Sequence, residues 1–355
     1  MISFGFLTIR EHQEHEYATE MAKRASLYGI EMYRFTPLSI DPLTEKVNGE
    51  KFSHELQSWV SCLFDIPTFI YDRCFYHSDS RSKQSKPIVQ WLKKRPDLVF
   101  LGNGLPNKWE LYESLRAHPL LSPYTVKTWR ITSVHDVIEA LKSEKNIILK
   151  PETGSQGKGM YSLKQTKHSL QIESTSKEDI QIINSKAELK AWAEKQLQLQ
   201  SYIGQPLLPL KNKYGQPFDL RLLLQKDEHG QWKERGRGIR IGEKETFIAN
   251  VSAGAAIIPF KEWMSQIPEL QQVLINDGID TIITLLPSYL DETHGQLFEI
   301  GLDIGITDEG AVWILDVNSK PGRKIVLETS PHEAENLYHA PLRYCRFLFE
   351  GVEVR

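Results

Sequence analysis

The segment from Ile147 to Leu163 has the composition of a phosphate-binding hairpin. It reads as an apolar strand ending at Lys150, a loop with glycine at 154, 157 and 159, and a return strand. Glycine lets backbone N–H groups approach phosphate oxygens closely, and Lys150 supplies a cation at a strand end. The loop is not a Walker A motif, because glutamate stands at 152 and Lys158 is followed by glycine. A plain glycine-rich hairpin without a ligand is the alternative.

Two apolar segments near the C-terminus carry oxygen groups suited to a divalent cation. Asp303 lies in the first segment, and Asp316 and Asn318 lie in the second, after a turn at 308–310. Residues two apart share one face of a strand, so a hairpin would bring the three side chains together. Carboxylate and amide oxygens are hard ligands that suit Mg²⁺. The alternative is a solvated hairpin whose acids are merely exposed, although charged residues among apolar ones are seldom left unpaired.

Two arginines lie in strand-like segments between these motifs. Arg221 stands within Phe218–Leu224, and Arg240 stands within Arg235–Gly242. A cation inside an apolar strand needs an anionic partner, and the neighbouring motifs suggest phosphate. The alternation of arginine and glycine at 235–238 is also found in RNA-binding tracts, but such tracts are longer, disordered and free of isoleucine.

The elements that must position these residues alternate between strand and helix. Strand Ile2–Ile9, helix Glu14–Tyr28 and strand Ile30–Phe35 form one unit, and the pattern continues to residue 104. We therefore predict an α/β, doubly wound N-terminal domain over residues 1–104. No GxGxxG sequence follows the first strand, so a dinucleotide site is not indicated.

A second domain is predicted over residues 105–330. Its first helix begins after Asn107, and Glu110 completes a start like a capping box, so Lys108 lies at a helix N-terminus. A lid subdomain over about residues 124–203 contains the glycine loop. Lys164–Asp179 lacks hydrophobic periodicity and is predicted to be a surface excursion. Residues 331–355 are predicted to form a C-terminal helical extension.

Composition excludes several classes of partner. The 355 residues carry 43 basic and 46 acidic side chains, a net charge of -3, which gives no cationic excess for nucleic acid. Three cysteines without a CxxC pair encode neither a disulfide framework nor a cysteine zinc site. No apolar run reaches the roughly 18 residues that span a membrane, and no signal peptide is apparent. We expect a cytoplasmic protein without a membrane or nucleic-acid partner.

Across about residues 105–325 the order of these segments resembles the ATP-grasp superfamily. The resemblance implies an α+β ATP-grasp fold after a pre-ATP-grasp domain, with ATP and Mg²⁺ as ligands. It implies that the nucleotide is bound by Lys108, Lys150, Gly154, Ser155, Gln156, Gly157 and Gly159, with Gln200, Ser201, Tyr202 and Ile203 as the adenine linker. It implies that the metal is bound by Asp303, Asp316 and Asn318. Arg221 and Arg240 match catalytic arginines that steady phosphates or an acyl-phosphate.

The whole chain also looks like the YheC/YheD group of endospore coat-associated proteins. The segments Ile70–Tyr76 and Gly102–Trp109 carry this likeness, which implies a spore-forming bacterium and an association with the spore coat. Two residues depart from the wider superfamily. Asp316 stands where many relatives have glutamate, and Gly301 stands where peptide ligases have an arginine. The second departure disfavours a reaction of the D-alanine ligase type.

The resemblance implies an ATP-dependent ligase that forms a carbon–nitrogen bond through an acyl-phosphate. Its carboxylate and nucleophile are not identified by the sequence, and spore-coat proteins are further candidate partners. One alternative is a coat or assembly protein that keeps the fold, with or without ATP binding, but has no turnover. Another is a small-molecule kinase on the same scaffold.

Overall fold

Three sheets organise the chain. The computed structural model describes residues 1–77, 79–154, 157–175, 177–244, 246–249 and 255–353, and it describes the backbone but not the side chains of 177–179, 352 and 353. Within these residues the strands form two six-stranded sheets and one five-stranded sheet. Ser155 and Gln156, two of the predicted loop residues, lie outside the described residues.

The first sheet belongs to the N-terminal domain. Its elements are β1 (Ile2–Leu7), α1 (His15–Ala25), β2 (Ile30–Phe35), β3 (Lys46–Ser53), β4 (Ser58–Asp65), β5 (Phe69–Asp72), α2 (Ser80–Lys93) and β6 (Val99–Phe100). Strands β2, β1, β5 and β6 run parallel in that order, and β3 and β4 extend the sheet antiparallel beyond β2. Met21 of α1 packs with Phe4 on one face, and Leu92 of α2 packs with Leu7 on the other. This two-sided covering confirms the doubly wound prediction, whereas the β3–β4 hairpin was not predicted.

The second sheet forms a separate layer around the glycine loop. Its elements are β7 (Trp129–Ile131), α4 (Val134–Ser143), β8 (Asn146–Pro151), β9 (Tyr161–Gln165), β10 (Leu170–Ser174), β11 (Lys177–Ile183), α5 (Lys186–Leu197) and β12 (Tyr202–Pro206). The strand order is β11-β10-β9-β8-β12-β7. Helix α4 begins at a capping box between Ser133 and Asp136, and its buried Val137 and Leu141 pack beneath the sheet. We call this layer, residues 129–206, the lid sheet.

The prediction of a surface excursion over Lys164–Asp179 was wrong. The segment contains β10 and the first part of β11, which form an antiparallel meander with β9. Leu170 and Ile172, two positions apart in β10, are both buried on its inner face, while the residue between them is partly exposed. An edge meander needs only this short alternation, which a polar composition conceals.

The third sheet forms the core of the C-terminal half. Its strands are β13 (Phe218–Lys226), β14 (Trp232–Ile241), β15 (Ala256–Pro259), β16 (Glu299–Ile306) and β17 (Val312–Asn318), in the order β15-β14-β13-β16-β17. The helices in this half are α3 (Lys108–Ala117), α6 (Phe260–Met264), α7 (Glu269–His294), α8 (Lys324–Thr329) and α9 (Ala334–Glu353). Alternate residues of β13 and β16, such as Leu222 and Leu302, pack in one apolar cluster with Ile282 of α7. The opposite face of these strands therefore carries the polar side chains.

Helix α9 forms most of the C-terminal segment. Helix α9 packs along α1, and Leu337 and Tyr344 of α9 join the apolar cluster of the N-terminal domain. The end of the chain therefore ties the first domain to the core sheet. Among the described residues, no helix has the length and apolarity needed to cross a membrane.

Candidate functional site

A cavity of about 1220 Å³ lies where the three sheets meet. Its walls include residues from the lid sheet, from the polar face of the core sheet and from loops of the N-terminal domain. The predicted site residues that line it are Lys108, Lys150, Gly154, Gly157, Arg221, Arg240, Asp303, Asp316 and Asn318. Residues from four widely separated segments of the sequence thus face a single space.

Lys150 lies at the end of β8 and is buried, with 9% of its surface exposed. Its Nζ donates a hydrogen bond to the backbone carbonyl of Leu315 at 3.1 Å, and it forms no ion pair with a described residue. Burial lowers the pKa of Lys150 to about 8, although the nearby Asp316 opposes the shift. A buried cation without a carboxylate partner would be stabilised by an anionic ligand.

A β-bulge in β17 turns the side chain of Asp316 toward the cavity that Lys150 also lines. Asp303 pairs with Asp316 across the hairpin, but the next residue, Ile304, pairs with Ile314, so Leu315 is an extra residue in β17. Without the bulge, strict alternation would place Ile314 and Asp316 on one face. With it, Ile314 packs in the apolar cluster while Asp316 lines the cavity.

Asp316 and Asn318 face the cavity together. One carboxylate oxygen of Asp316 accepts a hydrogen bond from Nζ of Lys108, which lies at the start of α3. The other oxygen accepts a hydrogen bond from the amide Nδ2 of Asn318 at 3.3 Å. Helix α3 is held here because Asn107 caps it and the backbone N–H of Lys108 donates to the carbonyl of Glu152.

Two arginines share the carboxylate of Asp303. Arg221 donates to Oδ1 at 2.5 Å, and Nη2 of Arg240 lies 3.0 Å from the same oxygen. Arg240 also forms two hydrogen bonds of 2.6 Å to Asp219. Burial would raise the pKa of Asp303, but the two guanidinium groups outweigh it and hold this pKa below its usual range. Asp303 therefore stays ionised and fixes both arginines on the cavity wall.

Gly301 makes room for the Arg221 side chain. An ideal Cβ built on Gly301 would overlap the guanidinium of Arg221 and lie 2.7 Å from Cβ of Pro321. A side chain at 301 is thus incompatible with the observed position of Arg221.

The glycine loop bends through backbone conformations that favour glycine. Gly154, Gly157 and Gly159 have φ values of 149°, 67° and 71°. The carbonyl of Gly157 accepts a hydrogen bond of 2.7 Å from Oγ1 of Thr175, which anchors that part of the loop to β10 and its turn. Gly154 and Gly157 line the cavity, whereas Gly159 packs against Pro151 and Gln200.

The segment predicted as an adenine linker, Gln200–Ile203, leads into the middle of the lid sheet. Tyr202 packs in the apolar cluster of this sheet, and Ile203 pairs with Lys150 on β8. Neither is among the residues that line the cavity, where the wall is formed by the following segment, residues 205–211. The linker therefore stays a prediction, and the end of β12 offers a second candidate segment for the same role.

The oxygen groups of the core hairpin have the character of a hard cation site. Both arginines contact Oδ1 of Asp303, so among the described residues Oδ2 accepts no hydrogen bond. The amide oxygen of Asn318 likewise has no donor there, and Asp316 lies opposite Asp303. No group of three or more His, Cys, Asp or Glu side chains in the described ranges could hold a metal without further ligands. A donor set of two carboxylates and one amide fits Mg²⁺, which retains waters and takes phosphate oxygens.

A buried ionic network joins the N-terminal domain to this wall, and sequence reasoning missed it. Arg73 forms ion pairs with Glu14 at 2.7 Å and with Glu299 at 2.5 Å. Arg323 donates to Glu14 at 2.9 Å and to the hydroxyl of Tyr71 at 2.8 Å. Burial would raise the pKa of Glu14, but the two arginines lower it to about 2. An arginine directly after the apolar strand β5 was the available signal, and its partners lie 59 and 226 residues away.

Comparisons with known proteins give one consistent result. A family model described as YheC/D like ATP-grasp matches residues 97–348. The endospore coat-associated protein YheC of Bacillus subtilis (strain 168) is 40% identical over 351 residues, which cover 98% of this chain and 96% of that protein. The structure of D-cycloserine synthetase DcsG has a TM-score of 0.56 at 10% identity and covers 98% of this chain and 99% of its own. D-alanyl-alanine synthetase A of Vibrio cholerae has a TM-score of 0.52 at 12% identity, with coverage of 95% and 97%. Each of these two structures is similar to this chain in fold.

Proposed function

The chain belongs to the YheC/D-like ATP-grasp family, and on this premise we propose that it binds Mg-ATP and activates a carboxylate with the γ-phosphate. An amine or a related nucleophile then attacks the activated acid. The protein is thus proposed to be an ATP-dependent ligase that forms a carbon–nitrogen bond.

One observation carries the proposal. Four cations, Lys108, Lys150, Arg221 and Arg240, share the cavity wall with three carboxylates, those of Asp219, Asp303 and Asp316. The strands β8, β13, β14, β16 and β17 and the start of α3 each contribute a side chain to this group. Fixed cations beside a hard cation site are what phosphoryl transfer requires, since catalysis of this step is mainly positioning and charge stabilisation.

Each part of the wall has a proposed role. Lys108, Lys150 and the glycine loop hold the triphosphate, and Asp303, Asp316 and Asn318 hold magnesium. The adenine lies near β12, against either Gln200–Ile203 or residues 205–211, of which the second segment lines the cavity. Magnesium would neutralise charge on the phosphate oxygens. No protein nucleophile is needed.

The proposed reaction has two steps. A carboxylate oxygen of the acid attacks the γ-phosphorus, the bond from this phosphorus to the β,γ-bridging oxygen breaks, and ADP leaves with that bonding pair. The product is an acyl-phosphate. The nitrogen of the nucleophile then attacks the carbonyl carbon, inorganic phosphate leaves, and the nitrogen loses a proton. Arg221 and Arg240 are proposed to stabilise negative charge on the transferred phosphoryl group and the acyl-phosphate.

We also propose that the protein acts in or near the spore coat. The relative that covers nearly the whole chain is named for its association with the endospore coat. Ligation of small molecules and association with the coat are compatible, because the cavity occupies only the junction of the sheets. A coat protein that keeps the fold without turnover is the competing proposal.

The test is calorimetric titration with Mg-ATP, followed by a screen of paired acids and amines for release of ADP. We expect binding, and ADP release that requires both partners of a productive pair. A stable phosphorylated acceptor formed without an amine would instead indicate a kinase. Binding of ATP without ADP release for any pair would favour the coat protein without turnover, and a lack of ATP binding would exclude the whole proposal.

A further inference from the structure

The part of the cavity lined by the N-terminal domain lies at the point where the strand order of the first sheet reverses. Strand β1 pairs with β2 on one side and with β5 on the other, so the chain winds in opposite directions from β1. The loop after β1 contributes Arg10, Gln13 and Glu14 to the cavity, and the loop after β5 contributes Phe75 and His77. Open α/β sheets bind ligands in the crevice at this point. We call this part of the cavity the switch-point end.

Among the described residues that line the switch-point end, no carboxylate is available for a positively charged ligand group. Among the described cavity-lining residues of the N-terminal domain, Glu14 is the one acid. Arg73 contacts both of its carboxylate oxygens at 2.7 Å, and Arg323 contacts one of them at 2.9 Å. The backbone of Glu14 has a positive φ of 54°, a conformation that the surrounding contacts must hold. An ammonium group would therefore have to displace an arginine from Glu14.

The cavity as a whole is strongly cationic, although the chain is slightly acidic. Its described lining residues include eleven lysines or arginines and four aspartates or glutamates, whereas the whole chain has a net charge of -3. Bound Mg-ATP offsets roughly two of these positive charges, since the metal cancels part of the triphosphate charge. A cleft lined by one sign of charge concentrates ligands of the opposite sign. The remaining excess favours a second anionic ligand.

Arg10 is the cation at the switch-point end that is free to bind such a ligand. Its side chain is exposed, and its guanidinium makes no hydrogen bond or ion pair with the residues described, although it is close enough to the Asp79 carboxylate to help lower the pKa of that group. Its backbone is fixed, because the carbonyl of Arg10 accepts hydrogen bonds from Oγ1 of Thr8 at 2.9 Å and from the N–H of Gln13 at 3.1 Å. A free guanidinium on an anchored turn suits bidentate recognition of a carboxylate or phosphate.

We propose that the acid substrate carries a second anionic group, a carboxylate or a phosphate, and that Arg10 binds this group at the switch-point end. The inference rests on the proposed function, because the acid is the one that Mg-ATP activates. The carboxylate to be activated lies toward Arg221, and the second anion lies toward the loops after β1 and β5. Arg10 is then a residue that determines specificity.

The test measures binding of matched probes to the protein saturated with Mg²⁺ and a non-hydrolysable ATP analogue. Succinate is compared with succinamate, which has an amide in place of one carboxylate, and phosphoglycolate is compared with glycolate. We expect the member of at least one pair that carries two anionic groups to bind roughly tenfold more tightly, and Arg10→Gln to abolish this preference. The pair that shows the preference identifies the second anion as carboxylate or phosphate.

The matched control is Arg116→Gln, which removes an exposed arginine from α3 outside the cavity and should keep the preference. Equal binding of both members of each pair would overturn the inference. So would a preference that survives in Arg10→Gln, or an absence of binding by both succinate and phosphoglycolate at millimolar concentration. Failure of the ATP analogue itself to bind would instead exclude the proposed function, so the two failures are distinguishable.

Discussion

Lys150 is the residue whose charge depends most directly on what fills the cavity. Its pKa is about 8, below the ordinary 10.5, so the free protein loses the Lys150 proton as pH rises through about 8. A bound triphosphate favours the charged form and raises this pKa. Folding favours the neutral form of Lys150, because burial penalises the charged lysine. The destabilising effect of burying Lys150 therefore diminishes as pH rises from about 8 to 10.5, where the unfolded chain binds more protons than the folded one.

We predict that Mg-ATP binding takes up a proton at a pH between 8 and 10.5, and that affinity falls as pH rises through this window. Calorimetry in two buffers of different ionisation enthalpy measures the uptake. Lys150→Met should abolish it and weaken binding by about 1–3 kcal/mol, the range for a lost charge-assisted hydrogen bond. Lys145→Met, at an exposed lysine just before the same strand, is the control. Equal proton uptake in wild type and Lys150→Met would refute the phosphate role.

Gly301 tests whether the position of Arg221 matters. Gly301→Ala should push the Arg221 guanidinium away from Asp303 and weaken Mg-ATP binding by about 1–3 kcal/mol, because the added methyl occupies the guanidinium's place. Calorimetry measures the affinity, and a crystal structure of the variant shows the displacement. Gly322→Ala controls for the added methyl, since nothing lies within 4 Å of its Cβ, and its thermal stability should be unchanged. Wild-type affinity in Gly301→Ala would show that Arg221 does not contact the nucleotide.

At the scale of elements, the β16–β17 hairpin combines two opposite requirements. One face must pack against α7, and the other must present ionised oxygens to the cavity. The extra residue Leu315 satisfies both, because it reverses the side-chain alternation within β17 and directs a backbone carbonyl to Lys150. The predicted metal site therefore depends on both strands of the hairpin and on the bulge between them.

We predict that Asp316→Asn folds normally but loses most of the Mg²⁺ dependence of ATP binding. The substitution keeps the shape of the side chain and removes its charge, and the ion pair with Lys108 is only partly buried, so its loss costs little stability. Titrations with ATP at increasing Mg²⁺ concentration measure the effect. Asp308→Asn, in the exposed turn of the same hairpin, should behave as wild type. A magnesium dependence unchanged by Asp316→Asn would remove Asp316 from the metal site.

At the scale of the whole molecule, the ionic network around Arg73 holds the N-terminal domain on the core sheet. Glu299 of β16 accepts hydrogen bonds from Arg73, from Tyr71 at 2.7 Å and from Gln225 at 3.1 Å. Arg73 and Glu299 have 0% and 2% of their side chains exposed. We therefore expect this network to stabilise the contact between the N-terminal domain and the core sheet.

We predict that Glu299→Gln lowers the free energy of unfolding by about 3–5 kcal/mol, because it leaves the two buried arginines, Arg73 and Arg323, with the single carboxylate of Glu14. Denaturation by urea, followed by circular dichroism, measures this change. Glu292→Gln, at an exposed acid in α7, should alter stability by less than about 0.5 kcal/mol. A loss of stability no larger in Glu299→Gln than in this control would show that the network does not hold the domains together.

The sequence by itself determined the local features of this protein. Apolar runs located β1, β2, β8, β16 and β17, capping residues located the start of α3, and the order of motifs indicated the ATP-grasp fold. It also predicted that Lys150, Asp303 and Asp316 would serve one site, because each is a charged residue in or at the end of an apolar strand. These signals are local, since they depend on neighbouring residues along a single strand or helix.

Only the tertiary structure decided which residues meet. The bulge at Leu315 depends on pairing with β16, and the ion pairs of Asp303 depend on Arg221 and Arg240 from two other strands. The residues along the end of β12 reach the cavity through the packing of sheets. The partners of Arg73 lie far from it in the chain. Contacts of this kind have no local signature, because strand order and register are set by the burial of whole sheet faces. A shift of the strand pairing by one residue would move every side chain of that strand to the opposite face.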